Sequence, residues 1–194
     1  TILLNNGIYT ENLKVINKVV TIMAKNKTKA IITPLDPARA STLEVQDQNP
    51  WGSNPYPKAI NKFIGLVFTG SSYTNWSNNP PSAININYNS NPVFESCIFS
   101  NNNSQFVFHF DQSAPLFINC LVVNNNNSNG VFALNGGQDS SRPKTKVAKF
   151  INSVISNNTF ISRWNTQREK TVVLYNSILS ENGYDNAFNE KMFR

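Results

Sequence analysis

The sequence has little of what metal centres and most catalytic sites use, since it contains one histidine and two cysteines in 194 residues. Cys and His side chains at short, regular spacing are the usual ligands of zinc, and no such spacing occurs in this chain. We therefore predict no metal site and no cofactor. No motif assigns a catalytic residue.

Charge and long apolar stretches are also scarce. Charged residues make up 14% of the chain, and no apolar run is long enough to span a bilayer, so we expect no membrane span. The net charge of +6, from 17 basic and 11 acidic residues, is consistent with an anionic partner such as an acidic polysaccharide. Charge alone does not separate polysaccharide from nucleic acid, and we expect no nucleic-acid partner. Asparagine is used heavily in place of helix formers, and no segment predicts a long helix.

What the sequence does contain is one short phrase that occurs four times. It begins at Phe94, Phe117, Phe150 and Leu174, with spacings of 23 or 24 residues and one of 33. A period near 23 residues with occasional insertions is typical of a solenoid built from short strands.

Aligned in register, the four repeats place like residues in columns. Adjacent coils of a parallel stack lie about 4.8 Å apart, so apolar columns form a continuous core and amide columns form ladders. One amide column consists of Asn102, Asn125, Asn158 and Asn182. Asparagine tolerates the left-handed backbone region and its side chain bonds nearby main-chain groups, so we expect this column both to turn the chain and to satisfy the backbone.

The same alignment extends to earlier coils, because residues 63–70 overlay the repeat that begins at Phe94. Residues 83–88 alternate with period two, which predicts a half-buried strand. Further strands are predicted at residues 1–4, 14–16, 19–23, 30–32, 106–110 and 131–134. Two segments rich in Pro, Asn and Ser, 36–58 and 71–82, are predicted to be loop insertions.

The opening Leu3-Leu-Asn-Asn-Gly-Ile-Tyr-Thr-Glu-Asn-Leu-Lys-Val15, followed by Val19-Val-Thr-Ile22, resembles the start of many right-handed parallel β-helix proteins of the pectin-lyase-like superfamily. The later Asn-Cys or Asn-Ser phrases are similar to generic repeats of bacterial surface and carbohydrate-active proteins of that kind. The resemblance covers nearly the whole chain. It implies an all-β fold, a single-domain right-handed parallel β-helix solenoid over residues 1–194, with roughly six or seven coils and Asn ladders at a turn. It also implies an extracellular or cell-surface location.

The resemblance leads to two further expectations, one for each end of the chain. A capping segment normally precedes such an opening phrase, which indicates a fragment of a longer protein or a trimmed mature form. Residues 183–194 are expected either to cap the last coil or to lead into a further domain.

Cys97 and Cys120 fall in one column on successive coils. Their spacing allows a disulfide between neighbouring coils. Stacked, buried thiols are the alternative. The sequence leaves both arrangements open.

Basic residues concentrate in two loops that interrupt the repeat at the same turn of successive coils. The first loop contains Arg142, Lys144 and Lys146, and the second contains Arg163, Trp164 and Arg168. Side by side they form one basic ridge, on which the Trp164 ring is suited to stack on a sugar. A solvated loop face, with Trp164 closing the core, is the alternative.

Aromatic residues form a second group of candidates for carbohydrate binding. They are Trp51, Tyr56, Tyr73 and Trp76, which lie in the two predicted insertions. Exposed rings are a natural platform for the apolar side of a sugar, and insertions on a solenoid often build its binding face. The alternative is that these rings pin the loops to the solenoid.

The sequence gives weak support to an enzymatic function. A lyase of this fold neutralises a uronate with a cation, often calcium on several carboxylates, and uses Lys or Arg as the base. The acidic residues form no column on adjacent coils, and the Asp-Asp phrase of hydrolases and the Asp and Gln phrases of pectin methylesterases are absent. His109 and Asp111 share one strand face, which suits a base and its orienting partner, although spacing supplies no nucleophile and an exposed surface position is the alternative.

Two hypotheses about function follow. The preferred one is a secreted or cell-surface β-helix module that binds carbohydrate or acts as a rigid adhesive or structural segment of a larger protein. Its partners would be polysaccharide or another cell-surface component and the other domains of that protein. The alternative is a polysaccharide-degrading enzyme, in the form of a lyase that acts on acidic glycans and uses calcium.

Overall fold

The structure is a computed structural model that describes residues 1–46, 60–74, 81–88, 90–135, 147–159, 162–165 and 172–183. Within these residues the chain forms twenty β-strands and no helix. Every strand pairing among them is parallel, and the strands form three sheets.

Each of the first six coils contributes one strand to each sheet in turn, and the described part of the seventh contributes one strand to the first sheet and one to the second. The first sheet contains β1 (Ile2–Leu4), β4 (Thr21–Ala24), β7 (Lys62–Ile64), β10 (Val93–Glu95), β13 (Leu116–Ile118), β16 (Ala148–Ile151) and β19 (Val172–Tyr175). The second contains β2 (Gly7–Thr10), β5 (Ala30–Thr33), β8 (Leu66–Thr69), β11 (Ile98–Ser100), β14 (Leu121–Val123), β17 (Val154–Ser156) and β20 (Ile178–Ser180). The third contains β3 (Leu13–Ile16), β6 (Leu43–Gln46), β9 (Ser82–Asn87), β12 (Phe106–Asp111), β15 (Gly130–Asn135) and β18 (Ser162–Asn165). The predicted all-β parallel solenoid is confirmed, and its three stacked sheets are compatible with a parallel β-helix.

The predicted repeat register is confirmed by strand pairing in the first sheet. Phe94 pairs with Phe63 on one side and with Phe117 on the other. The column continues through Phe150 to Leu174. The short phrase thus marks equivalent positions of successive coils.

Stacked phenylalanine rings fill the core. Phe94 stacks on Phe63 with ring centroids 5.0 Å apart and on Phe117 at 4.9 Å, and Phe117 stacks on Phe150 at 4.2 Å. Edge-to-face contacts join this stack to the second sheet, as between Phe94 and Phe99 at 5.4 Å. Each ring therefore gains apolar burial and aromatic contact in two directions, which ties neighbouring coils and neighbouring sheets together.

A buried asparagine ladder lies after the second sheet. The side-chain oxygen of Asn125 accepts hydrogen bonds from the backbone N–H (3.1 Å) and side-chain amide (3.0 Å) of Asn102. Asn158 receives the same pair of bonds from Asn125, and Asn182 receives them from Asn158. Each amide nitrogen also donates to a backbone carbonyl, as from Asn125 to Phe99 at 3.0 Å. The ladder thus satisfies backbone groups that the bend removes from the sheets.

The bends use other residues for the left-handed backbone. Asn101, Asn124, Asn157 and Glu181, each one position before a ladder asparagine, have φ between 51° and 57°. A second left-handed column, Ser96, Asn119, Asn152 and Asn176, joins the first sheet to the second. The expectation that the ladder residues also turn the chain is therefore wrong. At each bend one residue has the left-handed backbone, and the next residue supplies the buried side chain of the ladder.

The third sheet departs most from the sequence-based expectations. β6 lies inside the predicted insertion 36–58, and β18 contains Arg163 and Trp164, for which the sequence predicts a loop. These loop predictions are wrong because each coil continues the parallel pairing of this sheet, and β6 places fully buried Leu43 and Val45 in the core. β9 is buried on both faces, not half-buried as predicted.

We predict that Asn125→Ala lowers the free energy of unfolding by roughly 2–4 kcal/mol, because it removes several bonds and leaves the buried Asn102 N–H without its acceptor. The measurement is urea denaturation followed by circular dichroism. Asn103→Ala is the matched control, since Asn103 is an exposed neighbour of the ladder, and we expect its midpoint to match the wild type. Equal midpoints for the two variants would contradict the structural role of the ladder.

Candidate binding face on the third sheet

Most residues that the sequence nominates for binding lie outside the described residues. They are Trp51, Tyr56, Trp76, Arg142, Lys144, Lys146 and Arg168. Tyr73 is described and is half-buried shortly before β9. Arg163 and Trp164 are placed in β18, although nothing of their side chains is described. The basic ridge therefore stays a prediction.

The segments that carry these candidates border the third sheet, and most of them run on to the first sheet. Residues 47–59 directly follow β6, and residues 75–80 lead into β9. Residues 136–146 follow β15, and residues 166–171 follow β18. Each segment that carries a nominated ring or cation therefore begins or ends at the third sheet, or lies within it.

The outward side of the third sheet carries polar residues in two columns. Ile84 and Ile86 of β9 lie in the core, so Asn85 and Asn87 between and after them face the opposite way. We call the following set the polar face: Lys14, Glu44, Gln46, Asn85, Asn87, His109 and Asp111.

Strand register defines the first column of the polar face. Lys14 pairs with Glu44, Glu44 with Asn85, and Asn85 with His109. Lys14 Nζ lies 3.2 Å from Glu44 Oε2, which forms an ion pair at the open end of the column. His109 pairs in turn with Ala133, which pairs with Trp164.

The second column runs beside the first, two residues further along each strand. Gln46 pairs with Asn87. Phe110 pairs with Ile86, so Asp111 and Asn87, one residue further on, are neighbours across the next pair of strands. Three hydrogen-bonding side chains from three coils thus follow each other at about 4.8 Å.

The polar face is open at one end and enclosed at the other. The Lys14 side chain is 60% exposed and the Glu44 side chain 22%, whereas Asn85 is 6% and His109 0% exposed. In the second column Gln46 is half-buried, while Asn87 is 1% and Asp111 9% exposed. The predicted surface position of His109 is wrong, because both faces of β12 are buried.

Asn85 holds the His109 ring in place. Asn85 Oδ1 lies 2.8 Å from His109 Nδ1, and an amide oxygen only accepts, so Nδ1 carries a proton and donates it. Sequence reasoning paired His109 with Asp111 on its own strand and missed Asn85 on the preceding coil. The spacing of 24 residues between Asn85 and His109 equals one repeat and is the signal that identifies the pair.

Asn87 differs from Asn85 in its hydrogen bonding. Neither its side-chain oxygen nor its side-chain nitrogen has a hydrogen-bond partner, although the residue is almost fully buried. Buried amides in folded proteins are normally paired with protein groups, water or a ligand. Asn87 is therefore the position on the polar face where a binding partner is most needed.

The two cysteines are free thiols, buried on successive coils. Cys97 Sγ donates to the Phe63 carbonyl at 3.3 Å, and Cys120 Sγ to the Phe94 carbonyl at 3.5 Å. Burial, reinforced by the neighbouring Cys120 thiol, raises the pKa of the Cys97 thiol well above its ordinary value. Of the two open arrangements, the structure has the stacked thiols.

No group of three His, Cys, Asp or Glu side chains in the described part of the chain is placed to hold a metal ion. No helix there has the length and apolar character needed to cross a membrane.

The chain was also compared with known proteins. No family model matches the chain, and no curated protein is significantly similar to it.

We predict that Cys97 and Cys120 resist iodoacetamide in the folded protein at about pH 8.5, where an ordinary cysteine is about half thiolate. Burial blocks access, and the raised pKa of Cys97 keeps that thiol protonated. Mass spectrometry should show no adduct in buffer and two in urea. Ser128→Cys, at an exposed position, is the positive control and should react in buffer. Absence of thiols in urea would instead reveal a disulfide.

Proposed function

We propose that the chain is a carbohydrate-binding module of the right-handed parallel β-helix, pectin-lyase-like superfamily, and that it acts at the cell surface or outside the cell. The three stacked parallel sheets, the asparagine ladder and the opening phrase support the superfamily. The location and the type of ligand come from the resemblance. The third sheet supplies the binding side.

One observation carries the binding proposal. The segments with nominated rings and cations border the third sheet, three of them running from it to the first sheet, and the outward side of the third sheet carries the polar face. Amide, carboxyl and imidazole groups are suited to sugar hydroxyls, because they offer both donors and acceptors. Aromatic rings next to them would cover the apolar side of a sugar ring.

The scaffold suits this role because it is rigid and periodic. The phenylalanine stacks and the ladder fix each coil against the next, so the groups of the third sheet are held in place before a ligand arrives. A glycan that approaches the open end of the polar face would meet side chains from the two coils of β3 and β6. A module that serves only as a rigid segment of a larger protein would have the same core and no affinity for glycans.

The test is a glycan array with the purified chain at low and moderate salt, followed by titration of each glycan that binds. Trp164→Ala and Trp76→Ala should raise the Kd about tenfold or more, because a ring that anchors a ligand contributes over 1 kcal/mol. Arg163→Ala should weaken binding of acidic glycans most at low salt, where screening is weakest.

Matched controls come from the first sheet and the bend that follows β4. Tyr175 is an aromatic residue that is 51% exposed in β19, and Lys25 is an exposed cation directly after β4; neither belongs to the polar face or to the basic ridge. Tyr175→Ala and Lys25→Ala should leave the Kd within about twofold. Absence of wild-type binding at both salt concentrations would refute the proposal and leave a rigid structural segment. New ultraviolet absorbance from unsaturated products would identify a lyase.

A further inference from the structure

The outward side of the first sheet carries mainly apolar side chains. Phe63, Phe117 and Phe150 of this sheet lie in the core, so the residues before and after each of them point outward. Strand register arranges one outward column, which we call the apolar column: Leu3, Met23, Ile64, Ile118, Ile151 and Tyr175. Glu95 lies in the same column, between Ile64 and Ile118.

Water reaches the apolar column and the segments beside it. Leu3 is 56% and Tyr175 51% exposed, and the other members of the column are half-buried. Two apolar side chains in the segments that lead into the sheet are exposed as well, Val19 by 72% and Ile60 by 51%. An exposed apolar surface that extends over several coils is typical of an interaction site.

A second outward column runs beside the first, two residues earlier along each strand. Val93 pairs with Leu116, and both side chains are half-buried. Lys62 pairs with Val93, and Lys149 pairs with Leu116, and both lysines are exposed. This side of the solenoid thus combines apolar surface with cations.

The bend between β4 and β5 adds three exposed lysines, Lys25, Lys27 and Lys29. The bend is held against the stack, because the Thr28 N–H donates to the Gly65 carbonyl at 2.7 Å. Gly65 permits this approach, since a Cβ there would lie 3.2 Å from Lys27 Cα. Lys27 Nζ donates to Ser96 Oγ at 3.4 Å, two coils further on. The cations of this bend are therefore positioned beside the outward columns.

Positive charge predominates on this side of the solenoid. The outward columns and the bends that border them contain six exposed lysines: Lys18, Lys25, Lys27, Lys29, Lys62 and Lys149. Glu95 is the acidic residue among the described strands and bends of this side. Among the described residues the one ion pair joins Lys14 and Glu44 on the third sheet, so no described carboxylate pairs with these six lysines. An anionic partner is the one that complements them.

The apolar side chains distinguish between kinds of anionic partner. A soluble polyanion would pair with the lysines and leave the apolar column in water. The surface of an anionic bilayer offers both chemistries, since its headgroups attract lysines and the boundary of its acyl chains takes up apolar side chains. Lysine suits such a boundary, because its apolar stem can lie along the apolar surface while its ammonium group stays in water.

We propose that the outward side of the first sheet is a docking surface for an anionic lipid bilayer. Seven strands about 4.8 Å apart give this side a length of roughly 30 Å, enough to contact several headgroups at once. The proposal is independent of carbohydrate binding, because the polar face lies on the third sheet. A chain held to a membrane by its first sheet keeps a different side for glycans.

The test is flotation of the purified chain with phosphatidylcholine vesicles that either contain or lack phosphatidylglycerol, at low and at moderate salt. The wild type should float with the phosphatidylglycerol vesicles and stay in solution with the others. Its partition into the vesicle fraction should fall as salt is raised, because salt screens the attraction between lysines and headgroups.

Charge variants locate the contact. Lys27→Gln and Lys62→Gln should each lower the partition coefficient about fivefold, since each removes one cation from the membrane side. Arg39→Gln is the matched control, because Arg39 is an exposed cation in the loop between β5 and β6, away from the first sheet. It should stay within about twofold of the wild type at moderate salt, where distant charges are screened.

A pair of valine variants tests the apolar contribution. Val93 of β10 and Val154 of β17 are both half-buried outward residues, on the first and the second sheet. Threonine has nearly the same shape as valine, so both variants should keep the wild-type urea midpoint within a small margin. Val93→Thr should lower the partition coefficient about threefold or more, since a methyl group at the bilayer boundary becomes a hydroxyl, and Val154→Thr should leave it unchanged.

Several results would overturn the proposal. A wild type that floats with neither kind of vesicle at low salt refutes it, and so does equal flotation with both kinds. Equal losses in Lys27→Gln, Lys62→Gln and Arg39→Gln would show an effect of net charge and no docking surface. Equal behaviour of Val93→Thr and Val154→Thr would exclude apolar contact through the first sheet. Binding of heparin that depends on Lys27 and Lys62, without flotation, would identify a site for a soluble polyanion instead.

Discussion

The rest of the structure depends on the in-register pairing of each coil with the next. Because every strand pairs with the equivalent strand of its neighbouring coil, a residue type that suits one position recurs above and below itself. Phenylalanine then stacks on phenylalanine and asparagine bonds asparagine. A shift of one residue in any coil would turn its core side chains outward and break both columns.

Sequence analysis could predict much of the first two sheets and the bend that follows the second sheet. Alignment of the four repeats shows directly which residues pair between neighbouring coils. The phenylalanine column from Phe94 to Phe150 and the ladder through Asn125 both lie where the alignment of repeats places them. What the alignment could not separate was the turning residue from the ladder residue, since Asn124 and Asn125 are the same amino acid side by side. Only their opposite burial and backbone geometry distinguish them.

The third sheet was harder to predict because its strands lie between insertions and do not share the repeated phrase. β6 consists of four residues after a proline-containing stretch, and its alternation is too short to outweigh that context. The outward residues of β9 also led to a wrong prediction, because an alternation of Ile and Asn normally indicates a strand with one face exposed to water. His109 and Asn85 lie on a face that is buried instead, so their hydrogen bond could be found only through the spacing of one coil.

The asparagine ladder has a direction. Within the residues that the structure describes, the backbone N–H of one coil donates to the amide oxygen of the coil that follows it in sequence, from Ser71 to Asn182. The two ends of this described run differ: a backbone donor begins it, and the last amide donates to the carbonyls of Ile155 and Ser180. An interior coil, such as that of Asn125, accepts ladder hydrogen bonds from the coil before it in sequence and donates them to the coil after it. A duplicate of such a coil therefore fits between its neighbours with every ladder bond retained. The fold is thus suited to lengthen by internal duplication more readily than by joining copies end to end.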